Sequence, residues 1–274
     1  MDPTDPAFPS TIVLALYLAA SAFAAHSAWR TTSSAPAAFA PAIAPLAVIA
    51  VIAHLAWLTH TLSRGGLAFD IADSLSMFGT VVGAIGALLA FRSAFRAPAA
   101  LLLVTGGLLS LGTGRMQPVR EIAASGWPLA AHITLSALAF GLLAAAAVLT
   151  LLLAAQDTNL RSRKPSRWLD SLPPIESMDH ALFTVLGLGF VALTLTLVIG
   201  FLFVTDLFGQ RLVHKVVLAT VAWGIFGWLL VGRHRFGWRG RRARRLVLAG
   251  FGLLAVAYFV TKFVLEVILG RHWG

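Results

Sequence analysis

Long apolar stretches recur along the whole chain and are separated by short segments that carry most of the charged residues. A helix that rises 1.5 Å per residue needs about 20 apolar residues to cross a hydrocarbon layer of roughly 30 Å. The pattern therefore predicts an all-α, polytopic integral membrane protein with eight transmembrane helices. The predicted spans are about 11–29, 42–62, 70–91, 97–113, 128–155, 180–205, 212–232 and 246–269. We expect them to form a single membrane domain over residues 1–274.

The composition supports this interpretation and excludes several kinds of site. Of the 274 residues, 58% are hydrophobic and only 12% are charged, which is typical of membrane proteins. The absence of cysteine excludes disulfides, thiolate metal ligands and covalent haem attachment within this chain. The net charge of +10 is carried mostly by short loops, so we attribute it to membrane topology and anionic lipid rather than to nucleic acid.

The distribution of Lys and Arg predicts the orientation. The loops after the first, third, fifth and seventh predicted spans contain 14 of these residues, whereas the loops on the opposite side contain five. Basic residues of short loops are preferentially retained on the cytoplasmic side. Both termini are therefore predicted on the outer, periplasmic side of a bacterial inner (plasma) membrane.

Two adjacent prolines mark the beginning of the sixth predicted span. Pro173 and Pro174 should stop any helix before Ile175, because proline lacks the backbone N–H that a helix interior needs. The segment that follows then places Glu176 near the N-terminus of a helix, where a negative charge is favoured.

Four histidines are predicted near the outer leaflet. His132 begins the fifth span, His214 begins or precedes the seventh, His60 lies near the end of the second, and His272 follows the eighth. Polar side chains at membrane depth tend to face a bundle interior or a cavity, because exposure to hydrocarbon is costly. These imidazoles could therefore share an outward-facing pocket.

Imidazoles at the ends of different helices, without cysteine or an acidic cluster, favour haem as the ligand. Haem iron takes axial histidines, and the macrocycle needs an apolar slot. Zinc ranks below haem, because no H-E-x-x-H pattern is present. We predict His132 and His214 as the axial metal ligands, His60 as a substitute for either, and Asp206 as a group that orients a ring N–H. No catalytic residue is identified, and an enzyme is not the favoured interpretation.

Three further polar positions leave alternatives open. His54 could form a second, deeper site, but a ring hydrogen-bonded to a neighbouring helix is favoured, because intramembrane polar groups often bridge helices. Ser136, four residues after His132, could orient that ring or bond back to its own helix. Lys262 and Glu266 lie four residues apart on the eighth span, where structural pairing is favoured over a proton relay.

Four segments of the C-terminal half stand out, and the first three contain motifs in a serial order: H-x-x-x-S in the first, LPP-x-E-x-M in the second, and HK followed by GWRG in the third. The segments are 132–153, 172–200, 214–243 and 250–269. Together they resemble the cytochrome c assembly protein family of the CcsA type, and most closely its YpjD and HemX-like branch. The resemblance covers about residues 127–270.

The resemblance implies delivery of haem to the outer face of the membrane, with external histidines as axial ligands beneath a tryptophan-rich loop. His132 matches the first of those histidines. The segment FVTDLFGQRLVHK, between the sixth and seventh spans, is too short for the loop and lacks its tryptophans. The chain is therefore expected to be a haem-handling or regulatory relative rather than a full synthetase.

We expect an accessory role in cytochrome c biogenesis or haem homeostasis. The expected partners are haem, membrane lipid and proteins of cytochrome c maturation or of a haem pathway. The alternative is a cofactor-free membrane scaffold or regulator that docks a partner through its basic cytoplasmic loops, above all Arg233 to Arg245.

Overall fold

The computed structural model describes residues 7–30, 40–65, 71–112, 127–162, 167–203 and 213–260. Throughout these ranges the regular structure is helical, and none of the described residues forms a strand. The α-helices are α1 (Ala7–Arg30), α2 (Ile43–Gly65), α3 (Ile71–Ala90), α4 (Arg96–Leu109), α5 (Trp127–Ser162), the single turn α6 (Arg167–Asp170), α7 (Ile175–Phe203), α8 (Val213–Phe236) and α9 (Gly240–Ala255). The predicted all-α class is confirmed.

Six of these helices, α1, α2, α3, α5, α7 and α8, are long and apolar enough to cross a membrane. The fourth predicted span corresponds to a shorter apolar stretch, Ser93–Leu109. The described part of the eighth consists of α9 and a π-helical segment, Val256–Val260. A multi-pass membrane architecture follows from these helices, whereas the count of eight spans and the side of each terminus stay predictions.

The helix ends show where hydropathy alone misplaces a boundary. α7 begins at Ile175, directly after Pro173 and Pro174, as the prolines predict. α9 begins at Gly240 rather than at about residue 246, because its first turns are rich in arginine and carry no hydropathic signal. α5 likewise continues to Ser162, beyond the predicted end at residue 155.

The chain divides into two compact units, and their boundaries fall within α5 and α7. Unit 1 comprises Met1–Pro118 and Leu151–Asp179, and unit 2 comprises Val119–Thr150 and His180–Gly274.

Small residues let the helices of unit 1 approach closely. α1 packs on α2 and α4, and α3 also packs on both. A Cβ added at Gly106 of α4 would lie 2.8 Å from the carbonyl oxygen of Gly79 and 2.9 Å from Cα of Gly83. The backbones of α3 and α4 are therefore in direct contact, as is usual where small residues line a helix interface in a membrane.

Glycines have the same effect in unit 2. A Cβ at Gly189 of α7 would lie 2.9 Å from the side chain of Leu143 on α5. A Cβ at Gly250 of α9 would lie 2.7 Å from the ring of Phe226 on α8. Large apolar side chains thus occupy the space that these glycines leave.

We predict that Gly106→Ala destabilises the protein, because the new methyl group must push apart two backbones. Overpacking of this kind costs about 1–3 kcal/mol. The matched control is Gly224→Ala on α8, where no atom lies within 4 Å of the added Cβ. Both changes gain the same helix propensity, about 1 kcal/mol, so their difference in thermal unfolding in detergent isolates the packing effect. Equal midpoints for the two variants would contradict the close contact.

Candidate functional site

His132 lies in the second turn of α5, and its half-buried ring carries an unusual nitrogen. Nδ1 is shielded from solvent and has no hydrogen-bond partner among the described residues. The main chain of Thr196 lies close enough to the ring to interact with it as a hydrogen-bonding group, but no bond to Nδ1 has a favourable distance and angle. A buried polar group without a partner is costly, and in native structures it often marks a functional group or a missing ligand.

Ser136 does not supply the missing partner. Its hydroxyl donates to the carbonyl oxygen of His132 at 2.6 Å, one helical turn earlier. Of the two alternatives that the sequence leaves open, the bond back to the serine's own helix is therefore confirmed.

Gly200 on α7 makes room for the imidazole. A Cβ at this position would lie 3.3 Å from Cε1 and 3.7 Å from Nδ1 of His132. The first distance is shorter than ordinary van der Waals contact, so a larger residue would press on the ring. The absence of a side chain at Gly200 thus helps to set where the His132 ring lies.

A cation and several aromatic rings belong to unit 2, as His132 does. Lys215, near the beginning of α8, is close enough to His132 to act on it electrostatically. Its Nζ lies 5.2 Å from the centroid of the Tyr258 ring. The rings of Phe251, Tyr258 and Phe259 surround Phe140 of α5 at centroid distances of 5.3, 5.8 and 5.6 Å.

We call Phe140, Phe251, Tyr258 and Phe259 the aromatic cluster. Tyr258 and Phe259 lie in the π-helical segment Val256–Val260. This helix form is rare in proteins as a whole, but where it occurs it is often at a functional site. Through Tyr258, the cluster is linked to Lys215, and Lys215 is linked electrostatically to His132. An imidazole nitrogen without a partner among the described residues, a cation and an aromatic surface together suit a flat, apolar ligand that carries acidic groups.

The other predicted site residues do not join His132 in the described structure. Asp206 lies outside the described residues, and the side chain of His214, in the first turn of α8, does as well. His60 is exposed on α2 and stacks on Trp57, with ring centroids 5.5 Å apart and planes inclined by 25°. His60 belongs to unit 1 and His132 to unit 2, so their convergence stays a prediction.

Two further expectations concern metal sites and the eighth span. Among the described residues, no group of three or more His, Cys, Asp or Glu side chains is placed to hold a metal ion. Lys262 and Glu266 lie outside the described residues, and the role of that pair is untested.

His54 forms a buried hydrogen-bonded triad that joins three helices of unit 1. Its ring is 0% exposed. Nδ1 lies 3.3 Å from the hydroxyl of Tyr17 on α1, and Nε2 lies 2.8 Å from the hydroxyl of Ser76 on α3. Because both nitrogens have partners, the ring acts as a bridge between helices, which is the favoured alternative from the sequence.

Sequence reasoning missed Tyr17, Ser76, Lys215 and Gly200. Tyr17 offered the clearest signal, because the chain contains only 2 tyrosines and this one lies in the middle of an apolar run. A hydroxyl at that depth requires a partner, and His54 is the histidine at a comparable depth. Lys215 adjoins the predicted ligand His214 and could have been included on that ground.

Comparison with known proteins identifies one family and several relatives. The family described as Cytochrome C assembly protein matches residues 11–269. The inner membrane protein YpjD of Escherichia coli (strain K12) is 36% identical over 137 residues, which are 50% of this chain and 52% of that protein. An uncharacterized 28.8 kDa protein of Azospirillum brasilense is 34% identical over 184 residues, 65% of this chain and 68% of that protein.

The cytochrome c biogenesis protein CcsA of Synechococcus elongatus is 31% identical over 91 residues, 32% of this chain and 28% of that protein. This chain spans about half the length of the YpjD relative. No solved structure matches it. Together with the six apolar helices, these findings confirm the prediction of a multi-pass inner membrane protein.

We predict that His54→Leu lowers the free energy of unfolding by about 1–3 kcal/mol, because it leaves two buried hydroxyls without their partner. Tyr17→Phe should cost less, about 1 kcal/mol, since it removes one long hydrogen bond. The measurement is unfolding by denaturant in mixed micelles. Thr59→Val is the control, because the exposed hydroxyl of Thr59 on the same helix bonds only to carbonyls of its own helix. If His54→Leu were as stable as this control, the triad would contribute nothing.

Proposed function

Because this chain belongs to the cytochrome c assembly protein family, we propose that it binds haem at the outer face of the membrane. Its role is that of an accessory protein in cytochrome c biogenesis or haem homeostasis. The observation that carries the proposal is the buried Nδ1 of His132, which has no partner among the described residues. A ring nitrogen that no protein donor or acceptor occupies with good geometry is suited to bind a ligand atom.

The residues around His132 fit haem in their chemistry. His132 would hold the iron, and Lys215 would meet a propionate carboxylate with its ammonium group. The aromatic cluster, linked to Lys215 through Tyr258, would contact the apolar macrocycle and exclude water. Bound haem would supply an iron centre with axial positions for one or two imidazoles.

The second axial ligand in this proposal is His214. It lies in the first turn of α8, directly before Lys215, so the same turn would provide a ligand and a counter-charge. His60 would replace either ligand, and Asp206 would orient a ring N–H. With eight spans and both termini outside, His132 and His214 would lie at the periplasmic end of their helices.

The same family contains assembly proteins such as CcsA, but this chain lacks the tryptophan-rich loop that the resemblance implies for them. We therefore propose that the chain binds or senses haem and does not itself carry out attachment to apocytochrome c. Proteins of cytochrome c maturation or of a haem pathway would be its partners.

A second candidate function is a cofactor-free scaffold that docks a partner through its basic loop. The exposed arginines at the end of α8 and the beginning of α9, which include Arg235 and Arg241, favour it. The absorbance spectrum of the purified protein distinguishes the two functions. A wild-type protein that is purified without a Soret band and does not bind added hemin would support the scaffold.

We predict that the purified full-length protein binds hemin with a Soret band of the histidine-ligated type, and that His132→Ala weakens hemin binding by at least about tenfold, equivalent to 1.4 kcal/mol. The measurement is a hemin titration followed by absorbance. His180→Ala is the matched control, because His180 is an exposed histidine on α7 and should leave the titration unchanged. Identical titrations for both variants would refute His132 as a ligand.

A second pair of variants tests the same ring from the facing helix. Gly200→Val should displace the His132 imidazole, since even a Cβ at Gly200 would lie 3.3 Å from it, and should weaken hemin binding. Gly187→Val is the control on the same helix, because no atom lies within 4 Å of a Cβ there. Equal hemin affinity in the two valine variants would mean that the ring position is unimportant.

A further inference from the structure

The turn between α8 and α9 is a folded arginine-rich structure. Gly237 and Gly240 both adopt left-handed backbone conformations, with φ of 64° and 66°. The N–H of Gly237 donates to the carbonyl of Arg233 at 3.1 Å, and the N–H of Trp238 donates to the carbonyl of Gly232 at 3.2 Å. Left-handed glycine at a helix end is a common way to stop a helix and reverse the chain. We call the segment Arg233–Arg245 the basic turn.

Trp238 forms the centre of the basic turn. Its indole packs directly on Gly232, where even a Cβ would collide with the ring. It also meets Trp228 edge-on at a centroid distance of 5.7 Å and stacks on Phe236 at 6.1 Å. The indole is therefore held by contacts with α8 on one side and is available to the arginines of α9 on the other.

Two guanidinium groups of the basic turn each lie over an aromatic ring. The guanidinium of Arg242 lies 3.5 Å from the centroid of the Trp238 ring. That of Arg233 lies 4.4 Å from the centroid of Phe183 and donates to the carbonyl of Trp238 at 3.4 Å. Stacking pre-orients the planar guanidinium of Arg242, which is exposed, for pairing with an anion.

The basic turn holds most of the charged residues in the described part of unit 2. The described residues of unit 2 contain no Asp or Glu. Arg235, Arg241, Arg242 and Arg245 are exposed. The first turn of α9 carries no acidic residue, although cations there are disfavoured by the helix macrodipole. Several arginines at the N-terminal end of a helix repel the positive end of its dipole, and a bound anion would relieve that repulsion.

Membrane topology alone does not account for these features. Retention of a loop on the cytoplasmic side requires only its positive charge. It requires neither two left-handed glycines nor a guanidinium stacked on an indole. The two left-handed glycines and the stacked guanidinium indicate a ligand that is recognised by shape as well as by charge.

The exposed aromatic residues identify the source of that anion. Phe236 is 69% exposed and Trp228 is 59% exposed, and both adjoin Trp238 at the end of the apolar helix α8. Exposed aromatic rings at the end of a membrane span are typical of the interface with lipid headgroups. A soluble phosphate would gain nothing from these rings, whereas a phospholipid contacts rings and guanidinium groups together.

We propose that the basic turn is a binding site for an anionic phospholipid, whose phosphate is held by Arg242 and neighbouring arginines and whose glycerol and upper acyl region contacts Trp228 and Phe236. Arginine pairs bidentately with phosphate oxygens. This site is independent of haem and of the proposed function. It would fix the end of α8 at one leaflet of the membrane.

The test uses the purified full-length protein, an equimolar mixture of phosphatidylglycerol and phosphatidylcholine, and native mass spectrometry to count the retained lipids. The wild-type protein should retain more phosphatidylglycerol than phosphatidylcholine. Arg242→Gln should lower that preference by about fivefold, the effect expected of one arginine near an anionic surface. The matched control is Arg92→Gln, which removes one exposed arginine of the loop between α3 and α4 and should leave the preference unchanged.

Two further arms keep the proposal open to refutation. Arg242→Lys preserves the charge and avoids a loss of folding, and it should reduce the preference, because an ammonium group lacks the planar fork. Inorganic phosphate at millimolar concentration should not displace the lipid. The proposal is overturned if Arg242→Gln and Arg92→Gln behave alike, if inorganic phosphate competes fully, or if wild type retains both lipids equally. The last result would favour an acidic protein partner.

Discussion

A polar side chain within an apolar helix must find a partner inside the protein, because the hydrocarbon around it offers none. Most described polar groups of the spans obey this constraint. Thr150 and Thr196 bond back to carbonyls of their own helices, and His54 engages both ring nitrogens. Nδ1 of His132 is the only imidazole nitrogen among the few buried side-chain atoms of the described residues that have no hydrogen-bond partner. The proposal of haem binding depends on that contrast.

The two histidines also show how the same residue type serves two purposes in one chain. His54 lies among small residues of unit 1, such as Ala47 and Ala50, and its hydrogen bonds to Tyr17 and Ser76 tie three helices together. His132 faces a glycine instead of a hydroxyl, and a lysine acts on it across the unit. A ring whose two nitrogens are both paired suits a structural bridge, whereas a ring nitrogen without a protein partner suits the binding of a ligand.

Much of the fold could be predicted from the sequence, because the length of an apolar run and the position of a proline are local properties. Pro173 and Pro174 locate the beginning of α7, and the apolar runs locate the six long helices. The beginning of α9 could not be located by hydropathy, since Gly240 and the arginines after it form helix without an apolar signal. At the site, the sequence predicts His132, but the approach of Gly200 to its ring and the electrostatic effect of Lys215 on it depend on how the helices rotate against each other, which one sequence does not specify. The hydrogen bond between Tyr17 and His54 could not be predicted for the same reason.

The most direct test of the account is pulsed electron paramagnetic resonance of the hemin-loaded protein with ¹⁵N-labelled histidine. The account predicts strong coupling between the ferric iron and histidine nitrogen in the wild type, with one of these couplings lost in His132→Ala. Unchanged nitrogen couplings in His132→Ala, or iron without any histidine coupling in the wild type, would contradict the assignment of His132 as a haem ligand.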